Sequence, residues 1–348
     1  MTIYDPTALR RELHEMPELA LHEKRTSAYV AEKLKALGIE THENVGGSTG
    51  VVGIIRGTEP GPVFMLRADM DALPFVIDGK PCCIHACGHD GHTAMLLAAA
   101  SRLKDKIKRG TLKLLFQPAE ETLQGAPVII KAGVIDDVDY ALGAHIRPIQ
   151  DVPAGMLCAA VRHTASTTLN IVIKGRGAHA SRPHLGINAI DAACALMNGI
   201  QAIWLDPKMS WSAKATQIHA DSGATNTVPD LARITYDCRA QTNELMDDLL
   251  AQIRRVAAGT AAAYGAEAEV ILRDQSPACL YDDDFVAEVA EAIKEIAGPD
   301  KLAPDCGGGG EDFHNYKLAR PEIKAAYFGV GVGATPGLHA STMHFDDT

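Results

Sequence analysis

The sequence predicts an α/β protein with a mostly parallel sheet, into which a second, α+β unit is inserted. Up to about residue 150, apolar strand-like runs alternate with helical patterns, which is typical of a parallel sheet covered by helices. The order of elements changes after about 155, and the first pattern returns near the C-terminus. We therefore expect one domain formed by 1–154 and 272–348, interrupted by an inserted domain at 155–271.

Hydrophobic periodicity predicts the elements of the first domain. Residues 22–38 have apolar side chains at helical spacing and end in a glycine, and 51–57 and 62–71 are typical of buried strands. In parallel sheets, functional sites lie beyond the carboxyl ends of the strands. The other elements expected here are helices at 93–107, 125–132 and 283–297, and strands at 111–117, 139–145 and 325–331.

The inserted domain has the order strand, helix, strand, strand, helix, strand. This order is similar to that of a ferredoxin-like sandwich, so we expect one antiparallel sheet with two helices. The strands are expected near 166–174, 212–220, 230–239 and 266–274, and the helices at 186–202 and 243–263.

Composition limits the classes of function. Asp and Glu number 44 against 33 Lys and Arg, for a net charge of -11, which argues against a nucleic-acid partner or an anionic membrane surface. No apolar run approaches the roughly 20 residues that cross a bilayer, and the N-terminus lacks the apolar stretch of a signal peptide. We therefore expect a cytoplasmic protein. Its eight cysteines should then be free thiols.

Two catalytic motifs are matched only superficially. GGSTG at 46–50 fits the G-x-S-x-G pattern of serine hydrolases, but a helix precedes it and a strand follows, so Ser48 is better explained as a turn residue. GRGAHA at 175–180 fits a dinucleotide-binding pattern, but an Arg-Pro-His segment at 182–184 interrupts the position where the phosphate-binding helix should begin. Neither match therefore predicts a serine hydrolase or a dinucleotide-binding site.

A metal site is better supported. Cys87 and His89 lie two residues apart in a loop, and thiolate and imidazole are borderline-soft ligands that suit Zn, Mn, Fe or Co better than Mg or Ca. Adjacent Glu120 and Glu121 follow a buried strand, so that one carboxylate can bind metal while the other accepts a proton. His145 ends another strand. These residues point to a site assembled from separate loops.

Two further histidines, His339 and His344, follow the last predicted strand. Each feature has an ordinary explanation, because paired acids are usually solvated and a lone histidine is usually a hydrogen-bonded polar group. All of them, however, fall at predicted strand ends, where an α/β sheet gathers its site. The residues alone leave open which of the two histidines is the last ligand.

Long motifs with a recognisable order run across almost the whole chain. They are LHEMPELALHEKRT (13–26), RADMDALP (67–74), HACGHDGHTAM (85–95), FQPAEE (116–121), GAHIRP (143–148), GRGAHASRPHLGINAIDAA (175–193) and GGEDF (309–313). Together they resemble the metal-dependent amidohydrolase and aminoacylase family, which includes hydrolases of hippurate, of indole-3-acetyl amino acids and of p-aminobenzoyl-glutamate. The resemblance implies an α/β catalytic domain with an inserted ferredoxin-like lid, in agreement with the pattern above.

The resemblance implies a dinuclear metal centre with two divalent ions per chain, with Mn or Zn expected and Co or Ni as alternatives. Cys87 would bridge the two ions. Asp69 and Asp90 would orient the ligating histidines through hydrogen bonds. The implied ligands are Cys87, His89, Glu121, His145 and His339.

The resemblance also implies the catalytic and substrate-binding groups. Glu120 would be the general base toward a metal-bridged water and then the acid toward the leaving amine. His179 in the inserted domain would stabilise the oxyanion, often across a dimer. Asn226 and Arg239 would bind the carboxylate of the substrate.

The expected reaction is hydrolysis of the amide bond of an N-acyl or N-aroyl amino acid, giving a carboxylic acid and a free amino acid. The expected partners are this small-molecule substrate and a second copy of the chain, bound through the inserted domain. A dipeptidase or carboxypeptidase with the same dinuclear site is the nearest alternative, and an inactive metal-binding relative is a second. The loop at 74–83 is shorter than is usual in the family, which would alter one wall of the pocket.

Overall fold

The computed structural model describes residues 3–347, which fold as two compact units. The first unit contains the chain up to Arg162 and from Leu280 onward, and the second is His163–Cys279. The division after Cys279 lies later in the chain than the expected one at 271/272. A single strand, Glu267–Ser276, crosses 271/272 and pairs with a strand of the second unit along its length, so the chain is not divided there.

The first unit begins with two helices and builds most of its sheet before the insertion. The hairpin formed by β4 and β5 stands apart from this sheet. The elements are α1 (Pro6–His14), α2 (Lys24–Ala36), β1 (Glu40–Val45), β2 (Gly50–Arg56), β3 (Glu59–Asp69), β4 (Leu73–Ile77), β5 (Lys80–Ile84), α3 (His89–Leu103), β6 (Arg109–Gln117), α4 (Gly125–Lys131), β7 (Tyr140–Pro148), β8 (Leu157–Cys158) and β9 (Val161–His163).

The second unit is an antiparallel sheet in the order β12-β14-β10-β15, with α5 and α6 packed against it. Burial alternates along β10 and β14, as expected when one face of a sheet is covered by helices. The elements are β10 (Ala165–Lys174), β11 (Ala178–His179), α5 (Ala189–Gln201), β12 (Trp211–His219), β13 (Thr227–Val228), β14 (Leu231–Ala240), α6 (Asn243–Tyr264) and β15 (Glu267–Ser276).

The chain then completes the sheet of the first unit. The eight strands lie in the order β1-β2-β6-β3-β7-β18-β8-β16, and the central pairings β6–β3, β3–β7 and β7–β18 are parallel. The predicted α/β class with an inserted α+β unit is therefore confirmed. The last elements are α7 (Asp283–Ala297), β16 (Leu302–Ala303), β17 (Cys306–Gly308), α8 (His314–Ala319) and β18 (Lys324–Ala334).

Both faces of the central sheet are covered by helices, as a parallel sheet requires. Neighbouring residues of β3 face opposite ways: Leu66 packs with α1, α2 and α3, whereas Met65 packs on the side of α4 and α8. Since the long strands are fixed on both faces, their carboxyl ends form a rigid edge. That edge carries the candidate site.

Candidate metal centre

The residues expected to bind metal lie at one edge of the first unit's sheet. Strand β3 ends at Asp69, β6 ends at Gln117 just before the two glutamates, and β7 carries His145 near its end. His339 follows β18. Because these strands are parallel neighbours, their carboxyl ends gather side chains that are distant in sequence.

Helix α3 places His89 at its first residue. Gly88 precedes the helix with φ at +85°, in the left-handed region that glycine adopts without a steric penalty. A Cβ atom at Gly88 would lie 2.2 Å from Cδ1 of Ile146, so this turn also requires the absence of a side chain. The helix therefore starts at a fixed point against β7, and His89 enters the site from there.

His89 is fully buried and has one nitrogen free for a cation. Its Nδ1 lies 3.3 Å from Oδ1 of Asp71, while its Nε2 is buried without a hydrogen-bond partner. Burial lowers the pKa of His89, whereas the negative charge of Asp69 raises it, and the net effect is a pKa well above the usual value. The surroundings thus favour positive charge at this position.

Cys87 and His145 meet beside His89. Sγ of Cys87 lies 3.4 Å from Nε2 of His145, and Nδ1 of His145 lies 2.6 Å from the carbonyl oxygen of Ile146. A carbonyl only accepts, so Nδ1 carries the proton and the lone pair of Nε2 faces the thiol. Burial and the charge of Glu121 raise the pKa of the Cys87 thiol. A bound cation would oppose both effects and favour the thiolate.

The two glutamates occupy a turn that is held by Asp71. The amide nitrogens of Glu120 and Glu121 donate to the two carboxylate oxygens of Asp71, at 3.1 Å and 3.0 Å. Oε1 of Glu121 is buried without a partner, and Oε2 of Glu120 lies 3.9 Å from Nε2 of His89. Burial raises the pKa of both carboxyl groups. Both side chains therefore reach the same space as His89.

Of the two histidines after β18, His339 lies beside the glutamates. Its Nε2 is 3.4 Å from Oε2 of Glu121, and its backbone N–H donates to the carbonyl of Ala86. The backbone of His344 instead pairs with Thr335. His339 is thus the histidine that the fold brings to the glutamates.

These donors form two overlapping groups, each with ligand atoms within 4.8 Å of one another. Cys87, His89 and His145 form one, Cys87, Glu121 and His339 form the other, and Cys87 belongs to both. The unpartnered atoms at His89 and Glu121 are those a cation would satisfy. Sulfur, nitrogen and carboxylate donors around one shared thiol fit two borderline-soft divalent ions.

Asp69 orients a histidine outside this ligand set. Its Oδ1 lies 2.6 Å from Nδ1 of His92, and Nε2 of His92 accepts a hydrogen bond from the amide of Ile146 at 2.9 Å. Both ring nitrogens of His92 are therefore used, and although His92 lies close to His89 and Asp69, it has no lone pair left for a metal.

Asp90 has a different role from the one expected. It accepts hydrogen bonds from Arg10 at 3.0 Å and from His14 at 2.7 Å, so it joins α3 to α1. The carboxylate that does hold an expected ligand is Asp71, through His89. Sequence reasoning missed Asp71, although the RADMD motif at 67–71 carries it two residues after Asp69.

A buried acidic network lies next to Glu120. Arg67 pairs with Asp69, Glu311 and Asp312 at 2.6 to 2.9 Å, and all of these side chains are almost fully buried. Burial raises the pKa of Asp312 to about 7. Carboxylate oxygens of Glu120, Glu311 and Asp312 lie within 4.8 Å of one another. The GGEDF segment thus contributes charge to the surroundings of Glu120, a role that its sequence did not indicate.

His179, expected to stabilise the oxyanion, and Asn226, expected to bind the substrate, are neighbours in the second unit. His179 pairs with Thr227 in the short β11–β13 ladder, and the carbonyl of Asn226 accepts the amide of Ala180. The imidazole of His179 is exposed, and its Nδ1 lies 2.8 Å from Oγ of Ser181. The backbone N–H of Ser181 also donates to this Nδ1, at 3.1 Å. Nδ1 is therefore an acceptor, and Nε2 carries the proton.

Arg239 is placed on β14, where its guanidinium is already engaged. Nε and one terminal nitrogen donate to the two carboxylate oxygens of Asp237, both at 2.8 Å. This is the bidentate geometry that a substrate carboxylate would need. The two hydrogen bonds to Asp237 use only part of the guanidinium, which has five N–H donors.

The edge of the sheet and its donors define a hydrolase with a metal centre at the strand ends. The model of Peptidase family M20/M25/M40 matches residues 65–348. The chain belongs to this family and is a metal-dependent hydrolase. Within residues 3–347, no helix is long and apolar enough to cross a membrane.

Curated relatives have several activities. The chain is 36% identical to thermostable carboxypeptidase 1 of Saccharolobus solfataricus, over 93% of this chain and 84% of the relative. It is 32% identical to N-acetylcysteine deacetylase of Bacillus subtilis, over 97% of this chain and 91% of the relative. It is 35% identical to hippurate hydrolase of Campylobacter jejuni, over 83% of this chain and 78% of the relative.

Solved structures share the fold over nearly the full chain. A putative aminohydrolase from methicillin-resistant Staphylococcus aureus superposes with a TM-score of 0.89 at 29% identity, covering 98% of this chain and 91% of the other. A dinuclear metal-binding peptidase of the M20 family from Bacillus subtilis has a TM-score of 0.81 at 30% identity, covering 98% and 92%.

Proposed function

We propose that this protein hydrolyses the amide bond of N-acyl or N-aroyl amino acids, releasing a carboxylic acid and a free amino acid. The observation that carries the proposal is the pair of donor groups sharing Cys87, with Glu120 beside them. Relatives named N-acetylcysteine deacetylase and hippurate hydrolase support this substrate class.

The proposed metal centre has five ligands for two divalent ions, with Mn or Zn expected and Co or Ni as alternatives. Cys87 is the proposed bridge, because it belongs to both donor groups. The solved relative described as a dinuclear metal-binding peptidase supports two ions. The ligands are Cys87, His89, Glu121, His145 and His339.

In this mechanism, two divalent ions would lower the pKa of the attacking water and polarise the amide carbonyl. Glu120 takes the proton of that water as it attacks, and then delivers the proton to the leaving nitrogen. The raised pKa of Glu120, caused by burial and by the charge of Glu311, suits a group that must hold a proton between these two steps.

The second unit would supply the groups that recognise the substrate. His179 donates from Nε2 to the developing oxyanion, and Asn226 and Arg239 bind the substrate carboxylate. A homodimer through this unit is also proposed. The support for it is β12, an edge strand whose residues from Lys214 to His219 are exposed. Sedimentation at equilibrium should give twice the mass of one chain.

A carboxypeptidase or dipeptidase is the second candidate. The relative named thermostable carboxypeptidase 1 favours it, since it covers almost the same residues at 36% identity. The two activities differ in the group on the amino side of the scissile bond. A free α-amino group in the preferred substrate would indicate a peptidase, and an acyl or aroyl group would indicate the proposed amidohydrolase.

The test is a substrate panel on protein loaded with Mn or Zn. N-acetyl, N-benzoyl and indole-3-acetyl amino acids should be hydrolysed faster than unblocked dipeptides. A chelator should abolish the activity, and Glu120→Gln should lose it. Failure of the loaded protein to hydrolyse any of these amides, together with unchanged behaviour of Glu120→Gln, would contradict the proposal.

A further inference from the structure

Glu23 is a fully buried carboxylate outside the proposed ligand set. It stands directly before α2, and its side chain is 0% exposed. Its Oε1 accepts the amide of Ala119 at 2.9 Å, and its Oε2 accepts the hydroxyl of Thr49 at 2.5 Å. Burying a carboxylate is costly unless its oxygens are satisfied, so a glutamate retained here needs a specific partner.

That partner belongs to the turn that carries the base. Ala119 has φ at +54°, a left-handed conformation that is strained for a residue with a Cβ. It immediately precedes Glu120. With Glu23 on Ala119 and Asp71 on Glu120 and Glu121, three consecutive amides of this turn donate to two buried carboxylates. The strained conformation is therefore fixed from outside the turn.

The carboxylate of Glu23 does not serve the helix it precedes. It makes no side-chain capping bond to α2. The free amides of the first helical turn are satisfied by Glu18, whose Oε2 accepts the N–H groups of Arg25 at 2.9 Å and Thr26 at 3.0 Å. The two glutamates near this helix start thus have separate roles, one toward the helix and one toward the turn.

We propose that Glu23 is a positioning residue for the reaction, which holds the strained Ala119 turn so that Glu120 and Glu121 face the metal centre. This inference rests on the proposed function, since it takes Glu120 as the base and Glu121 as a ligand. Contacts of this kind around a metal site are worth about 10- to 100-fold in activity or metal affinity. Glu23 acts through the backbone and does not touch the substrate.

The structure supplies a matched set of variants in the full-length chain. Glu23→Ala removes both hydrogen bonds, while Glu23→Gln keeps an acceptor for Ala119 and a donor toward Thr49. Glu18→Ala removes a partly buried cap of the same helix without touching the turn. We expect Glu23→Ala to lower kcat by about 10- to 100-fold with KM nearly unchanged. Glu23→Gln should restore most of the rate, and Glu18→Ala should lower Tm but leave kcat close to wild type.

Hydrogen exchange of metal-free protein gives a readout independent of activity. Amides in 117–125 should exchange faster in Glu23→Ala, and at the wild-type rate in Glu23→Gln and Glu18→Ala. If Glu23→Ala is too unstable to purify, Thr49→Val, which removes one of the two bonds, should move the same segment in the same direction.

The outcomes separate this inference from the proposed function. The positioning role would be overturned if the amides in 117–125 of Glu23→Ala exchanged at the wild-type rate. It would also be overturned if Glu23→Ala and Glu18→Ala lowered Tm equally and left kcat unchanged. If wild-type protein hydrolyses no acyl amino acid but Glu23→Ala still speeds exchange at 117–125 and weakens Mn binding, the proposed substrate class fails and the positioning role stands.

Discussion

At the scale of single residues, Glu120 and Glu121 are neighbours in sequence with different surroundings. Glu121 has one oxygen 3.4 Å from His339 and another that is buried without a partner, which suits a metal ligand. Glu120 lies toward the buried acids Glu311 and Asp312. Burial and these like charges favour its protonated form, so it can hold a proton during the reaction.

This difference predicts different losses in the two amide variants. Glu120→Gln should lower kcat by about 10²- to 10⁴-fold and still bind two ions, because only the proton acceptor is removed. Glu121→Gln should weaken metal binding, because an amide is a poorer ligand than a carboxylate. The measurement is kcat at saturating metal together with metal content after dialysis. Equal metal content and equal rates in the two variants would contradict the assignment.

His85 predicts a loss of stability in acid. Burial lowers its pKa to about 4, and neither ring nitrogen has a hydrogen-bond partner among residues 3–347. Between pH 6.5 and 4, the unfolded chain binds a proton that the folded protein excludes, so stability falls as the pH falls through this range. The free energy of unfolding lost in this range is about 3 kcal/mol. Unfolding of metal-free protein by urea at several pH values should show a flatter profile for His85→Leu. If the stability of His85→Leu fell with pH as steeply as that of the wild type, His85 would not be the cause of the loss in acid.

Other residue-scale features could not be predicted from the sequence. Asp69 and Asp71 lie two positions apart in one motif, and only the fold shows that Asp71 holds His89 while Asp69 holds His92. The contact of Glu23 with Ala119 joins residues 96 positions apart. No local pattern encodes such a pairing, because it depends on how the fold brings the start of α2 to the turn that follows β6.

At the scale of elements, the start of α3 determines where His89 lies. Gly88→Ala should destabilise the protein and weaken metal binding, because the new Cβ meets Ile146 at 2.2 Å and the left-handed φ is strained. Gly38→Ala is the control, since Gly38 has φ at +74° and no atom within 4 Å of an added Cβ. It should cost about 1 kcal/mol through strain alone. Similar losses of metal affinity in both variants would show that the clash with Ile146 is unimportant.

Long buried strands and amphipathic helices were predictable because their patterns are local. The strand expected at 111–117 is found at Arg109–Gln117, and the helix expected at 243–263 is Asn243–Tyr264. The segment expected as a loop at 74–83 forms most of the β4–β5 hairpin. The expected division at 271/272 falls inside β15, which pairs with β10 along its length.

At the scale of the whole molecule, metal binding should stabilise the first unit. Its site concentrates Glu120, Glu121, Glu311 and Asp312, and the buried guanidinium of Arg67 pairs with the last two. Binding to the folded state alone adds about 2.7 kcal/mol at a free metal concentration of 100 times Kd. Treatment with EDTA should therefore lower Tm, and Mn or Zn should restore it. A Tm that does not respond to either treatment would contradict a metal site built by these residues.

The shared position of Cys87 is the central feature of the proposed metal centre, and a calorimetric metal titration of wild type and Cys87→Ser tests it most directly. Two divalent ions per chain should bind to wild type, and both should bind more weakly in the variant, because one thiolate serves both donor groups. This account would be contradicted if the wild-type protein bound one ion or none. It would also be contradicted if Cys87→Ser weakened the binding of no more than one of the two ions.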